Sequence, residues 1–307
     1  MADTTRPLLR WLAAHDTPDR VVLLCDDAVV PTVARRSLVL RLDACVKDTG
    51  LGLPAQLLAA GVDVVEVVPC RTHPEETAAQ VASWCSVLTD GVVPFSPPTR
   101  RRASHPEVLT LGRIPLPRRV VLGLGARDSS PLDLELDDAA RTLAAVRLLT
   151  DSGRVSARPA TPVSPAGGAV PAGPAAALSV SGCTACGVCV RACPHDALVL
   201  EHDGATSTLT HQREACRSEL ECLRLCPVDA FSTAGPLPLA DLLDSPVVTL
   251  AEVVTATCER CGAPHPASDG SLCPTCRFRQ GNVFGSALPP SAIARLAAAR
   301  REDDPAP

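Results

Sequence analysis

Cys183, Cys186, Cys189 and Cys193-Pro194 stand in the spacing C-x2-C-x2-C-x3-C-P. A short loop with a thiolate at every third residue can wrap three corners of a compact iron–sulfur cluster while its backbone amides turn toward the sulfides. The fourth cysteine then faces elsewhere, so a second run is expected downstream. Cys216, Glu219, Cys222 and Cys226-Pro227 supply it in the same register, with glutamate at the second ligand position. The repeat continues beyond the ligands. Cys193-Pro194-His195-Asp196-Ala197-Leu198 parallels Cys226-Pro227-Val228-Asp229-Ala230-Phe231, which predicts two pseudo-symmetric halves. The chemistry such a pair of loops supports is one-electron redox.

On these motifs, residues 179 to 233 resemble the bacterial dicluster ferredoxin family. The resemblance implies one cluster on Cys183, Cys186, Cys189 and Cys226, and a second on Cys216, Cys222 and Cys193 with Glu219 at its fourth corner. A carboxylate is a harder ligand than a thiolate. Seven-iron relatives lack cysteine at this position and carry a three-iron, four-sulfide cluster, the leading expectation here. A four-iron cluster with a Glu219 oxygen on the labile iron is the alternative. In the third reading the second cluster is lost and its cysteines fill a small core; the surviving ligands and proline in register argue against it.

Between the motifs, the runs from Leu198 to Thr210 flank Asp203-Gly204, a two-residue hairpin signal, and short helices are expected after each cluster loop. A domain of this size has little apolar core and is expected to depend on its metal centres to fold.

Further along, Cys258-x2-Cys261-Gly262 and Cys273-Pro274-Thr275-Cys276 form paired knuckles, a four-thiolate tetrahedral set. Zinc is the usual occupant. The same pattern is similar to the short rubredoxin domain of rubrerythrins, which implies a single redox-active iron. Only Phe278 and Phe284 lie near to supply the aromatic shell, which favours zinc. With four thiolates present, His265 is expected at the surface, as are His195, His202 and His211.

The N-terminal half alternates apolar runs with helical patterns, as βαβ units do. Strands are predicted over 21–25, 37–42, 62–68, 108–111 and 119–124, with helices over 54–60, 75–88 and 136–149 and an amphipathic helix at the start of the chain. Together they predict a three-layer α/β domain. Cys25, Cys45 and Cys70 fall at or beyond the carboxyl ends of predicted strands, the edge where open α/β sheets gather ligands. Three thiols could converge there, although the burial preference of free cysteine favours an ordinary core role. Cys85 shares a helical stripe with Val81, Trp84 and Leu88 and reads as core. The order of strand, cysteine and Leu/Ala-rich helix, clearest at Gly61 to Cys70, resembles the small iron–sulfur subunit of methyl-viologen-reducing hydrogenase. That resemblance implies electron passage between hydrogenase and heterodisulfide reductase through a two-iron cluster, but the family's closely spaced cysteine pairs are absent. Gly50-Leu51-Gly52-Leu53-Pro54-Ala55 formally matches a dinucleotide fingerprint. It follows the second strand rather than the first and lacks a ribose-binding acid at the expected spacing, so a first turn of helix is the simpler reading.

These elements predict a multidomain α/β plus α+β chain of 307 residues. Its parts are an α/β domain (1–150), a Pro/Ala/Gly-rich linker (151–178), a ferredoxin-like dicluster domain (179–235), a metal ribbon (250–285) and a helix with tail (286–307). A formal net charge of −5 and the absence of tyrosine argue against a nucleic-acid partner. Fifteen cysteines in metal-ligand spacings point to the reducing cytoplasm rather than to a disulfide scaffold. The N-terminus lacks the apolar core of a secretory signal, and no run approaches the length of a membrane helix. The function expected is electron transfer within an oxidoreductase or hydrogenase-like complex, with no catalytic residue assigned. The alternatives are a cofactor-dependent enzyme with its site near Cys45, Cys70 and His73, and a redox-responsive regulator that binds nucleic acid.

Overall fold

A computed structural model of the chain describes residues 3–98, 103–104, 107–115, 130–154 and 172–281. The chain divides into two compact units, 1–171 and 172–307.

The first unit is built on a five-stranded parallel sheet. Its strands are β1 (Arg20–Leu24), β3 (Ser37–Arg41), β4 (Val64–Val67), β5 (Val92–Pro94) and β7 (Glu107–Thr110), in the order β5-β4-β1-β3-β7. Two short strands, β2 (Val33–Ala34) and β6 (Ala103–Ser104), pair with each other. Successive strand residues face opposite sides of a sheet, and Val21, Val22, Leu23 and Leu24 are all fully buried, so both faces of the central strand are covered. That burial is why the strands read as unbroken apolar runs in the sequence.

The helices are α1 (Thr5–Ala14), α2 (Gly52–Ala59), α3 (Pro74–Val87) and α4 (Asp138–Asp151). Pro74 at the first turn and Glu75 and Glu76 behind it start α3. Asp137 caps α4, its side chain accepting the Ala140 N–H at 2.8 Å. Gly52 begins α2 because a Cβ there would lie 2.5 Å from Thr142 Oγ1 on α4. Close helix contact thus accounts for a glycine of the G-x-G-x-x-A match without any ligand. The predicted strand at 119–124 lies outside the described residues.

The second unit opens with β8 (Ala172–Val180), which pairs antiparallel with β11 (Phe231–Pro238). Linker had been expected as far as Leu178. The strand forms because β11 supplies the partner that this alanine-rich stretch does not announce by itself. A four-stranded sheet follows in the order β13-β12-β10-β9, from β9 (Leu198–Asp203), β10 (Thr206–Gln212), β12 (Val247–Thr257) and β13 (Pro264–Pro266). The β9–β10 turn uses Gly204 at φ +56°. β12 pairs along β10 and then continues to β13, so the four-cysteine ribbon shares a sheet with the ferredoxin-like hairpin rather than standing apart. Short helices α5 (Val188–Ala192), α6 (Glu221–Arg224), α7 (Leu239–Asp244) and α8 (Pro274–Gly281) complete the described part. The helix expected within 286–307 lies outside it.

Candidate metal centres

Two loops of matching conformation build the redox candidate. Ala185 and Ser218, each two residues after its first cysteine, have φ +53° and +58°. Gly187 and Leu220 follow at +68° and +60°, and Asp196 and Asp229 at +51° and +52°. Left-handed backbone at a non-glycine residue costs about 1–2 kcal/mol, so its recurrence at offset 33 marks a shared demand on the chain. Alternating αL and αR residues turn successive N–H groups toward one concavity, the arrangement that favours an anion. The sulfurs already collect such donors. Cys183 Sγ accepts the Ala185 N–H at 3.4 Å, Cys193 Sγ that of Ala197 at 3.3 Å, and Cys226 Sγ that of Ala230 at 3.2 Å.

Each loop contributes its fourth cysteine to the other loop's cavity. Cys183, Cys186, Cys189 and Cys226 line one; Cys193, Cys216, Cys222 and Glu219 line the other. The cavities themselves are small, about 20 and 30 Å³, and the second is no smaller than the first. Burial pushes the Cys189 thiol up to about 12 and the Cys222 thiol to about 11. Such thiols hold their protons until a metal displaces them. Cys186 is exposed and marks the solvent side of the first cavity.

Glu219 sits at the rim of the second cavity, where His195 Nε2 approaches its Oε1 at 3.1 Å. His211, expected at the surface, is 1 % exposed. It lines the same cavity with its buried Nε2 unpartnered, and burial lowers its pKa to about 4. Its place on the inner face of β10 decides this; polarity alone misleads.

Cys258, Cys261, Cys273 and Cys276 bring their sulfurs within 4.8 Å of one another, with Cys261 Sγ 3.7 Å from Cys273 Sγ. A tetrahedron with metal–sulfur bonds of about 2.3 Å has edges of about 3.8 Å. The Cys273 N–H, 3.3 Å from Cys258 Sγ, leads the donors that bring that thiol down to about 6. His265 is buried too, contrary to the surface expectation: its Nε2 meets the Gly270 carbonyl at 2.9 Å and braces the turn between the knuckles.

In the first unit, Cys25, Cys45 and Cys70 converge. Their sulfurs lie within 4.8 Å of one another, Cys25–Cys45 at 3.6 Å and Cys45–Cys70 at 3.7 Å. Cys85 does not join them; its thiol meets the Val92 carbonyl at 3.2 Å. Among the described residues no helix is long and apolar enough to cross a membrane.

Residues 182–230 match the 4Fe-4S dicluster domain family. This segment is therefore an iron–sulfur domain of ferredoxin type. A ferredoxin from Pyrobaculum islandicum is 40 % identical over 53 residues, which are 17 % of this chain and 47 % of the relative. The chain thus spans about half the length of the curated relative it matches.

Proposed function

We propose that the chain is an electron-transfer protein, or the electron-transfer subunit of an oxidoreductase complex. The observation that carries this reading is the doubled ligand set, in which each loop lends its last cysteine to the other cavity. The name of the Pyrobaculum relative, a ferredoxin, accords with it. An iron–sulfur cluster supplies single-electron chemistry whose potential is set by its type and surroundings. The protein's part is to hold, desolvate and orient. Cys183, Cys186, Cys189 and Cys226 are the donors for a four-iron cluster. Cys193, Cys216 and Cys222 offer only three thiolates, and Glu219 is turned to His195 at the rim, which supports a three-iron occupant there. The exposed Cys186 corner is the natural side for a redox partner of oxidoreductase or hydrogenase-like type. Zinc suits the ribbon, as a structural ion that fixes the end of β12. The proposed layout keeps residues 1–150 as an α/β domain and a tether before the ferredoxin module, and places the protein in the cytoplasm.

The test is iron and acid-labile sulfide analysis with EPR on anaerobically purified full-length protein, before and after dithionite. About seven irons with a three-iron signal in the oxidised state supports the reading. About four irons and no such signal would leave only the first site loaded.

A further inference from the structure

Cys25, Cys45 and Cys70 sit just past the carboxyl ends of β1, β3 and β4, three adjacent strands of the parallel sheet. The winding order of the sheet reverses here, since β1 is followed by β3 on one side and then by β4 on the other, and such a switch point opens a crevice at the strand ends. The Cys25–Cys45 and Cys45–Cys70 sulfur separations, 3.6 and 3.7 Å, are close to the edge of about 3.8 Å expected around one tetrahedral ion. A disulfide would need a separation of about 2.05 Å.

An imidazole also stands beside Cys45. His73 Nδ1 lies 4.0 Å from Cys45 Sγ, at the start of α3. An imidazole nitrogen and a thiolate on one tetrahedral ion lie roughly 3.5 Å apart, from bond lengths of about 2.0 and 2.3 Å. His73 stands outside the set of three sulfurs that lie within 4.8 Å of one another, so its ring must swing toward them to complete the shell. Backbone donors reach two of the sulfurs: the Val46 N–H donates to Cys25 Sγ at 3.5 Å, and the His73 N–H, at the amino end of a 14-residue helix, donates to Cys70 Sγ at 3.3 Å. Cys25 and Cys70 are buried, while Cys45 and His73 are part-exposed, which leaves a route for an ion to enter.

We propose that Cys25, Cys45, Cys70 and His73 form a mononuclear site for a thiophilic divalent ion of the zinc class, separate from the iron–sulfur domain and from the ribbon. Binding releases the thiol protons to solvent and changes no oxidation state. Three thiolates and a histidine make a closed site that ties three strand ends to the start of α3.

The test uses full-length protein carrying Cys258→Ser and Cys261→Ser, which silences the ribbon, and titrates it with zinc alone. About one zinc per chain should bind, with an X-ray absorption spectrum of three sulfurs and one nitrogen. Adding Cys45→Ser should abolish it. Because that variant could lose its fold, His73→Ala is the second arm. It should weaken zinc binding about tenfold or more and remove the nitrogen scatterer, with the circular dichroism of the parent retained. No zinc in the ribbon-silenced protein, an affinity and spectrum unchanged by His73→Ala, or recovery of a native Cys45–Cys70 disulfide by mass spectrometry of unreduced peptides would each overturn the proposal.

Discussion

His195 Nε2 and Glu219 Oε1 stand 3.1 Å apart at the rim of the second cavity, joining the two pseudo-symmetric loops at the position where one lacks a cysteine. Both side chains are partly exposed, so the pair contributes little to stability by itself. Its consequence is for the cavity, because the Oε1 that meets His195 would have to leave it to ligate iron there. Glu219→Cys should complete a four-thiolate set. Iron is expected to rise from about seven to about eight per chain, with loss of the oxidised three-iron EPR signal. His195→Ala should leave the iron count unchanged. If Glu219→Cys keeps the three-iron signal, the missing thiolate is not what limits the site.

The apolar core around these loops is small, and Cys189 and Cys222 pack in it beside Leu198 and Leu209. Thiolates that must fold around a metal make binding energy part of folding energy. Removing the clusters with chelator under oxidising conditions should therefore melt the β9–β10 hairpin. Hydrogen exchange read by mass spectrometry is the check: peptides covering 198–212 should lose slow exchange, while peptides covering β1 and β4 in the first unit should keep it. Retained protection over 198–212 would show that the hairpin folds without metal.

At the ribbon, the pairs Thr255↔Pro266, Ala256↔His265 and Thr257↔Pro264 lie next to Cys258, whereas the β10–β12 ladder extends back to Val247. Cys258→Ser should release the ribbon ion, about one per chain, and open the β12–β13 end alone. Metal analysis checks the first point. Faster exchange over 258–270 with slow exchange kept over 247–253 checks the second. A zinc occupant leaves the visible spectrum unchanged on release, whereas iron loss would change it.

How far the sequence led differs by element. Buried parallel strands announce themselves, and the runs at 21–25, 37–42, 62–68 and 108–111 settled within two residues of the observed strands. The three-residue β5 was too short for a periodic signal, and the alanine-rich β8 exists only by virtue of β11. The ligand spacings were legible because a cluster loop has a fixed geometry. Convergence of Cys25, Cys45 and Cys70 could be raised from their places after strands but not chosen over a core role, because it depends on β4, β1 and β3 being neighbours, and sheet order is a property of the whole fold. His211 and His265 were misjudged for the same reason: the register of a strand can bury a residue whose type favours the surface.

Arg141 on α4 is wholly buried, and its guanidinium holds the start of the chain in place. Its Nη2 lies 2.7 Å from Asp3 Oδ1 and 3.3 Å from Asp138 Oδ1, and its Nε donates to Gln56 Oε1 at 3.1 Å. Burial alone would raise the Asp3 pKa, but bonds and charge from Arg141 and Arg6 outweigh it and hold the carboxyl below its ordinary 3.8. The sign follows: between the folded and unfolded values the unfolded chain binds more protons, so stability is fully present above the unfolded pKa and is lost as pH falls through the folded one. Asp3→Asn should cost about 1.5–3 kcal/mol near neutral pH, the range for a hydrogen bond to a charged group, and less at lower pH. Trp11 and Trp84 are the only two tryptophans and both lie in the first unit, so urea unfolding followed by tryptophan fluorescence reads that unit alone. The wild-type midpoint should approach that of Asp3→Asn as pH drops below about 4. Midpoints that stay a constant distance apart across that range would mean the carboxylate's charge is not what secures the chain start to Arg141.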